Sequence, residues 1–301
     1  MLDLVVVGDA NPDVLMFGVP AAPPAGQAET LVSSGTLALG GSAAIAAHGA
    51  ARLGLNTALV AMVGRDAAGD FTLDTLRSAG VDISGCVRHE TLPTALTVCL
   101  NQPGGDRAIL TAPGCLPFFA PASLPPARHA HAASYFLQPA LAAVLPALLR
   151  DFAGSTSLDT NDDPAGTWLL TPGLLEACDL LLPNEAEALA LSGSADLDGA
   201  LRVLAAHGCT PVVKCGARGA VALDGGTVHR VRGPGAVPVD TVGAGDSFDA
   251  GFLAGWLESG DLDSALALGS ACGALSTRAP GGTAAQPTAE EARKASKEAR
   301  I

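Results

Sequence analysis

Apolar residues run unbroken through LDLVVVG (2–8), a β-branched stretch closed by Gly8, as expected of a strand with apolar neighbours on both faces. The period then changes. SAAIAAHGAARLG (42–54) reads as a helix with Gly54 as its C-cap, and TALVAMVG (57–64) as the next buried strand. The alternation continues with a helix at 67–80, strands at 155–159 and 178–184, helices at 184–193 and 196–208, a strand at 210–214 and an apolar helix at 244–258. Such alternation predicts an α/β fold built on an open, mostly parallel sheet with helices on both faces. Two stretches break the rhythm. Residues 11–40 and 92–115 hold short strand-like runs around Pro and Gly, with PGGDR (103–107) as a hairpin turn. Antiparallel pieces of this kind predict a small sheet projecting as a lid. The closing TAEEARKASKEARI (288–301) predicts a charged, solvated helix.

Composition narrows the function classes. With 301 residues, 49% of them apolar, the chain can form one large α/β domain over 1–301. Its formal charge of −13, from 30 acids against 17 bases, repels a nucleic-acid backbone or an anionic membrane, so neither is expected as a partner. The seven cysteines are scattered without a CxxC pattern and read as reduced thiols, with no disulfides and no structural zinc. The N-terminal MLDLVVVGDANPD lacks the basic start and long apolar middle of a signal peptide, and no apolar run approaches the ~18 residues of a membrane span. A cytoplasmic protein is expected.

The candidate chemistry lies in DTVGAGD (240–246), just before the apolar helix. Gly243 and Gly245 let the backbone approach a ligand, and the first N–H groups of a helix lack intrahelical partners and attract anions. Asp246 in that first turn places a carboxylate beside the anion. An acid that takes a hydroxyl proton while backbone dipoles absorb phosphate charge is what phosphoryl transfer to an alcohol requires. The same residues also suit a plainer role, with Asp246 complementing the helix dipole and Asp240 capping a turn.

DTVGAGD, with the SFDAGFLAGWL that follows, resembles the C-terminal signature of the ribokinase-like (PfkB) carbohydrate kinases. The diglycine at 40–41, the helix ending ARLG and VAMVGRDAAGD (60–70) are similar to that family's N-terminal signature, and LDTNDDPAGTW (158–168), LLPNEAEA (181–188) and VVKCGARGA (212–220) follow in the family's order. The resemblance covers essentially the whole chain. It implies a three-layer ribokinase-like fold with a small β-sheet lid, and an ATP-dependent, magnesium-requiring kinase acting on a small sugar or sugar-like acceptor. Asp246 is then the catalytic base, and the backbone of Gly243, Ala244 and Gly245 the anion hole. Asp240 and the Val242 carbonyl fall where many members bind an activating potassium ion, with further ligands from about 276–285.

The resemblance assigns other residues in the same way. Asn184 and Glu187 would organise magnesium and its waters, although by themselves they read as a helix N-cap and a first-turn acid. Lys214, Gly216 and Gly219 fall beside the nucleotide, and Ser270 near adenine; Lys214 could equally end a strand in solvent. Asn11 and Asp13 would grip acceptor hydroxyls, a job that a simple Asn-Pro-Asp turn would mimic. Gly40, Gly41 and Gln138 complete the acceptor side. There the sequence departs from the pattern: GGSAAI places Ile45 where the family commonly has an amide, and an acceptor hydroxyl left unpaired there costs roughly 1–3 kcal/mol. Either Ser42 compensates or the acceptor carries less hydroxyl at that point. Asp159, Asn161, Asp162 and Asp163 read as a turn with local caps more than as a metal cluster. The histidines, His129 and His131 in a Pro-rich connection among them, show no ligand spacing.

A nucleoside kinase of the same fold is the alternative, since Ile45 could contribute to a larger apolar pocket. A non-catalytic sugar-binding regulator is a further alternative. The chain has neither GxGxxG after its first strand nor GxxxxGK[ST], so a nucleotide is held otherwise. Exposed lid strands are sticky edges, and a homodimer is expected.

Overall fold

The computed structural model describes residues 1–22, 25–104, 106–235 and 237–299. Its main sheet has eight strands. In spatial order these are β14 (Thr227–Val231), β13 (Ala220–Asp224), β12 (Thr210–Lys214), β11 (Leu180–Leu181), β10 (Ser155–Asp159), β9 (Ala127–Ala133), β1 (Leu2–Val7) and β4 (Thr57–Val60). From β4 to β12 every pairing is parallel, and the β12–β13–β14 end is antiparallel.

Alternate residues of β1 enter different cores. Leu4 and Val6 join α1 (Ser42–Arg52), α6 (Ala244–Ser259) and α7 (Leu262–Ser276), while Val5 and Val7 meet α3 (Pro139–Arg150) and α5 (Leu197–Ala205). Burial on both faces explains the unbroken apolar run. Between these helices in the chain lie α2 (Ala67–Ser78) and α4 (Glu185–Ser192). A Cβ on Gly251 would stand 2.6 Å from the Cys272 sulfur, which shows how closely α6 and α7 approach. All seven cysteines are free thiols, and among the described residues no helix is long and apolar enough to cross a membrane.

The two segments that broke the alternation form one four-stranded sheet, β3 (Ser34–Gly40), β2 (Asn11–Phe17), β7 (Leu96–Asn101) and β8 (Arg107–Ala112). Each segment supplies an antiparallel pair, and a parallel β2–β7 pairing joins them. The turn at 103–107 includes Gly105, which lies outside the described residues, as do Pro23 and Pro24 of the first segment and residues 300–301 of the helix expected at 288–301.

Several expectations need correction. The strand expected at 57–64 is two: β4 ends at Val60, and β5 (Met62–Gly64) pairs instead with β6 (Val87–His89). Only Leu180–Leu181 of 178–184 is strand, because Pro183 has no N–H for the ladder. Helix α1 ends at Arg52 with Leu53 as its C-cap, and Gly54 follows at φ +96°. The last helix, α8 (Ala289–Ala299), is not solvated all round, since Ala292 packs against Leu268 and Cys272 of α7. His129 and His131 do not lie in a connection at all. They sit within β9, fully buried at the centre of the sheet.

Candidate functional site

The carboxyl ends of β1, β9, β10 and β12 open toward α6 and the small sheet, the edge at which open α/β sheets receive ligands. Two adjoining clefts lie there. The larger, of 770 Å³, runs under the small sheet, and the smaller, of 360 Å³, lies between the Gly216–Gly219 turn, α6 and α7. Lys214, Gly216 and Gly245 line both.

At their junction stands the turn DTVGAGD. Gly243 caps α6 at φ +69°, and a Cβ on it would lie 2.6 Å from Gly282 Cα and 3.2 Å from Ile45 Cγ2, so only glycine fits. Asp240 fastens the turn: one oxygen accepts the Val242 amide (3.0 Å), and the other accepts the Gly281 amide (2.9 Å). Arg107 of β8 lies 3.4 Å from Asp240. The Ala244 amide leans toward the Thr241 carbonyl at 3.3 Å, while Gly245 and Asp246 occupy the first helical turn, where amides lack intrahelical acceptors.

Asp246 is 7% exposed and lines the larger cleft. Burial, and then the negative charge of Asp159, push its carboxyl up from 3.8 to about 8; Lys214 opposes this, Asp9 adds to it, and the Ser42 hydroxyl bond opposes it. Ser42 therefore turns toward Asp246, and it lines the same cleft. Ile45 is a wedge. Its side chain lines the cleft while its methyls press on Gly243 and Gly282, and its carbonyl accepts Gln286 Nε2 at 3.0 Å.

Under the small sheet Asn11 and Asp13 start β2 and line the cleft, with Asn11 Nδ2 donating to Asp13 Oδ1 at 3.1 Å. Burial, helped by the charges of Asp9 and Asp240, raises Asp13 to about 7. Gly40 does not line the cleft; it leaves room for Asp13, whose Oδ1 would lie 1.9 Å from a Cβ there. Gly41 caps α1 at φ +85° and lets the chain pass the Asp9 carbonyl. Gln138 also does not line the cleft. It is buried, and its Nε2 donates to the carbonyls of Ala133 and Ser134, supporting the left-handed turn at Ser134 (φ +61°). That strained residue donates its amide to Asn161 Oδ1 at 2.6 Å, and Asn161 is itself left-handed at φ +56°.

On the other side Gly216 (φ +58°) and Gly219 (φ +97°) shape the wall of the smaller cleft. Ser270 lines it too, and its buried hydroxyl has no hydrogen-bond partner among the described residues. Asn184 and Glu187 form a capping box on α4: Asn184 Oδ1 accepts the Glu187 amide (3.0 Å), and Glu187 Oε2 accepts the Asn184 amide (2.8 Å). Both also line the larger cleft, so the cap and the cleft wall are one device. Burial, then the charge of Asp159, raise Glu187 to about 7.

Sequence reasoning passed over Asp9, Arg107 and Asp249, and it read Asp159 as part of a turn. Asp163 does cap that turn, accepting the amides of Ala165, Thr167 and Trp168. Asp159 is different: it is 1% exposed and lies 2.6 Å from Lys214 Nζ. The Lys214 side chain is not the solvated end of a strand: it is only 10% exposed, and it also contacts both oxygens of Asp249 at 3.2 Å. Asp9 Oδ1 accepts the Ala43 amide at 3.0 Å, and burial raises its carboxyl. An available signal was the acid at 9 directly after the Gly8 that ends the first strand.

The profile described as "pfkB family carbohydrate kinase" matches residues 1–289. An ATP-dependent ribose-1-phosphate kinase from Halopiger xanaduensis is 31% identical over 288 residues, covering 89% of each chain. A fructokinase from Klebsiella pneumoniae is 31% identical, covering 94% of this chain and 95% of its own. The solved structure of Arabidopsis thaliana ribokinase, complexed with ribose and ATP, has the same fold at a TM-score of 0.86, with 23% identity over 98% of this chain and 99% of that one.

Proposed function

This chain belongs to the pfkB family carbohydrate kinases, and from that premise we propose that it transfers the γ-phosphoryl group of ATP to a hydroxyl of a small sugar or sugar-like acceptor, with Asp246 as the base. One observation carries this reading: Asp246 lies buried at the mouth of α6, where the two clefts meet.

The acceptor occupies the larger cleft, held by Asn11 and Asp13, and ATP lies along the smaller one past Gly216, Gly219 and Ser270. As the acceptor oxygen bonds to the γ-phosphorus, its proton passes to the Asp246 carboxylate, the bond to the β-phosphate oxygen breaks, and ADP leaves. Amides at 243–245 face the charge on the migrating group. Glu187, a hard oxygen donor on the cleft wall with Asn184 beside it, fits magnesium held through its waters. Magnesium bound there would neutralise charge on the phosphates. Potassium at Asp240 and Val242 fits less well, because the Asp240 oxygens already accept two amides and face the Arg107 cation.

We read residues 1–301 as one unit, with segments 11–40 and 92–115 forming a lid that excludes water from the cleft. Leu37, Ile109 and Leu110 are exposed on the lid sheet, and a homodimer through this sheet is expected. Light scattering should then give twice the 29.8 kDa chain mass.

The test is acceptor-dependent ADP formation with ATP and magnesium across ribose, fructose, ribose 1-phosphate, 2-keto-3-deoxygluconate and adenosine. Arg107, lining the acceptor cleft, favours including anionic acceptors. Turnover of a sugar supports the proposal and turnover of adenosine alone favours the nucleoside alternative. Sugar binding by thermal shift without ADP formation would leave a non-catalytic binder.

A further inference from the structure

Beneath Asp246 lies a buried cluster of charges that the reaction scheme leaves unused. On β10 and β12 the side chains of Asp159 and Lys214 fall on the sheet face covered by α6, because their neighbours Leu158 and Val213 belong to the opposite core. Helix α6 sends Asp249 down onto them one turn after Asp246, on the same helical face. Oxygens of Asp159, Asp246 and Asp249 lie within 4.8 Å of one another. Such a trio would suit a metal ion, but a cation is already built in: Lys214 Nζ lies 2.6 Å from Asp159 and 3.2 Å from both Asp249 oxygens. A Cβ on Gly245 would stand 3.5 Å from the same Nζ, so the ammonium also sits directly against the first turn of α6.

We propose that Lys214 is a positioning residue for the base: its ammonium, clamped between Asp159 and Asp249, anchors the mouth of α6 and supplies the positive charge beside which Asp246 can ionise. This differs from a nucleotide contact, since the ammonium is spent on two carboxylates. Burial pushes the Asp249 carboxyl up, whereas the Lys214 charge holds Asp159 down against its own burial, so the ammonium offsets negative charge that would otherwise bear on Asp246. Other groups bearing on Asp246 are Asp9 at the end of β1 and the Ser42 hydroxyl on α1. Asp159 in turn feels His131 of β9, which burial keeps neutral by lowering it to about 4. The inference rests on the reading of Asp246 as base, but its test does not need turnover.

The experiment is a pH titration of the Asp246 carboxyl by NMR in the full-length protein labelled with 13Cγ-aspartate, the signal being assigned by its loss in Asp246→Asn. Lys214→Met should move the Asp246 midpoint up by about one pH unit, and Asp159→Asn should move it down by a similar amount, because a charge of opposite sign is removed in each. Lys214→Arg should return it near the starting value. ATP affinity, measured calorimetrically, should change less than about threefold in Lys214→Met. Midpoints that stay put in both variants, or a shift of the same sign in both, overturn the proposal. So does a tenfold loss of ATP affinity with an unmoved midpoint, which would make Lys214 a nucleotide contact. Should Lys214→Met fail to fold, Asp159→Asn and Lys214→Arg still decide the matter. Full kinase activity in Asp246→Asn would instead overturn the assignment of the base and leave these midpoints standing.

Discussion

Asp246→Asn is expected to lower kcat by about 10³-fold or more while making the protein more heat-stable, with the gain widening as pH rises. The rate loss follows from removing a general base, whose contribution is typically 10²–10⁴-fold. The stability gain follows from linkage. In the folded protein the Asp246 carboxyl is raised to about 8, against 3.8 for an ordinary aspartate, so the folded state holds a proton that the unfolded chain has released. Stability from this group is full below pH 3.8, falls as pH rises toward 8, and stays reduced above it. An asparagine escapes that penalty. Calorimetric scans at pH 5 and pH 8 should show a small difference at the lower pH and a Tm gain of about 2–6 °C at the higher one. In the wild type, kcat/KM should climb with pH through the same window, because the base acts only when ionised. A variant that keeps its rate, or one that is destabilised at pH 8, contradicts the expectation.

Gly243→Ala is expected to cut kcat by about 10²-fold, with a much smaller change in acceptor KM. The left-handed backbone at Gly243 costs a side-chain-bearing residue about 1–2 kcal/mol. The added methyl would also meet Gly282 Cα at 2.6 Å and Ile45 Cγ2 at 3.2 Å. Gly282 offers backbone and Ile45 is wedged, so the turn itself must move. A displacement of the order of 1 Å at a site that positions reacting groups costs about 10²-fold. Asn11 and Asp13, on β2 of the small sheet and away from this turn, keep their places, which is why KM should hold. Steady-state kinetics on the acceptor found in the substrate panel would read the split; a KM effect larger than the kcat effect would mean that the turn acts in binding alone.

Much of this was written locally. The apolar runs at 2–8 and 210–214 identify strands of the main sheet, the run at 57–64 does so only as far as Val60, and Asp66, Asn184 and Asp196 each cap a helix as their residue types suggest. The turn at 240–246 announces an anion-binding helix mouth through its glycines. What stayed hidden were polar residues inside the sheet. ARHAHAA looks like connection because its alternate positions are histidines, yet His129 bonds Ser155 and Ser157 at 2.7 Å, and His131 bonds Ser157 at 2.8 Å, across the neighbouring strand. A strand with a polar row is recognisable only when the partner row is known.

The same division holds at the site. By itself the order of residues determined the alternation of strands and helices, the family, and the short-range devices: caps, glycine turns and a carboxylate in the first turn of α6. Those depend on neighbours a few positions away. Only the folded arrangement decided that Lys214, Asp159 and Asp249 meet beneath Asp246, that Ile45 braces Gly243, and that Gln138 supports a turn without lining the cleft. These contacts join residues far apart in the chain, and burial gives them their strength. A charge removed from water must find its partner through the packing of whole elements, which no local pattern records.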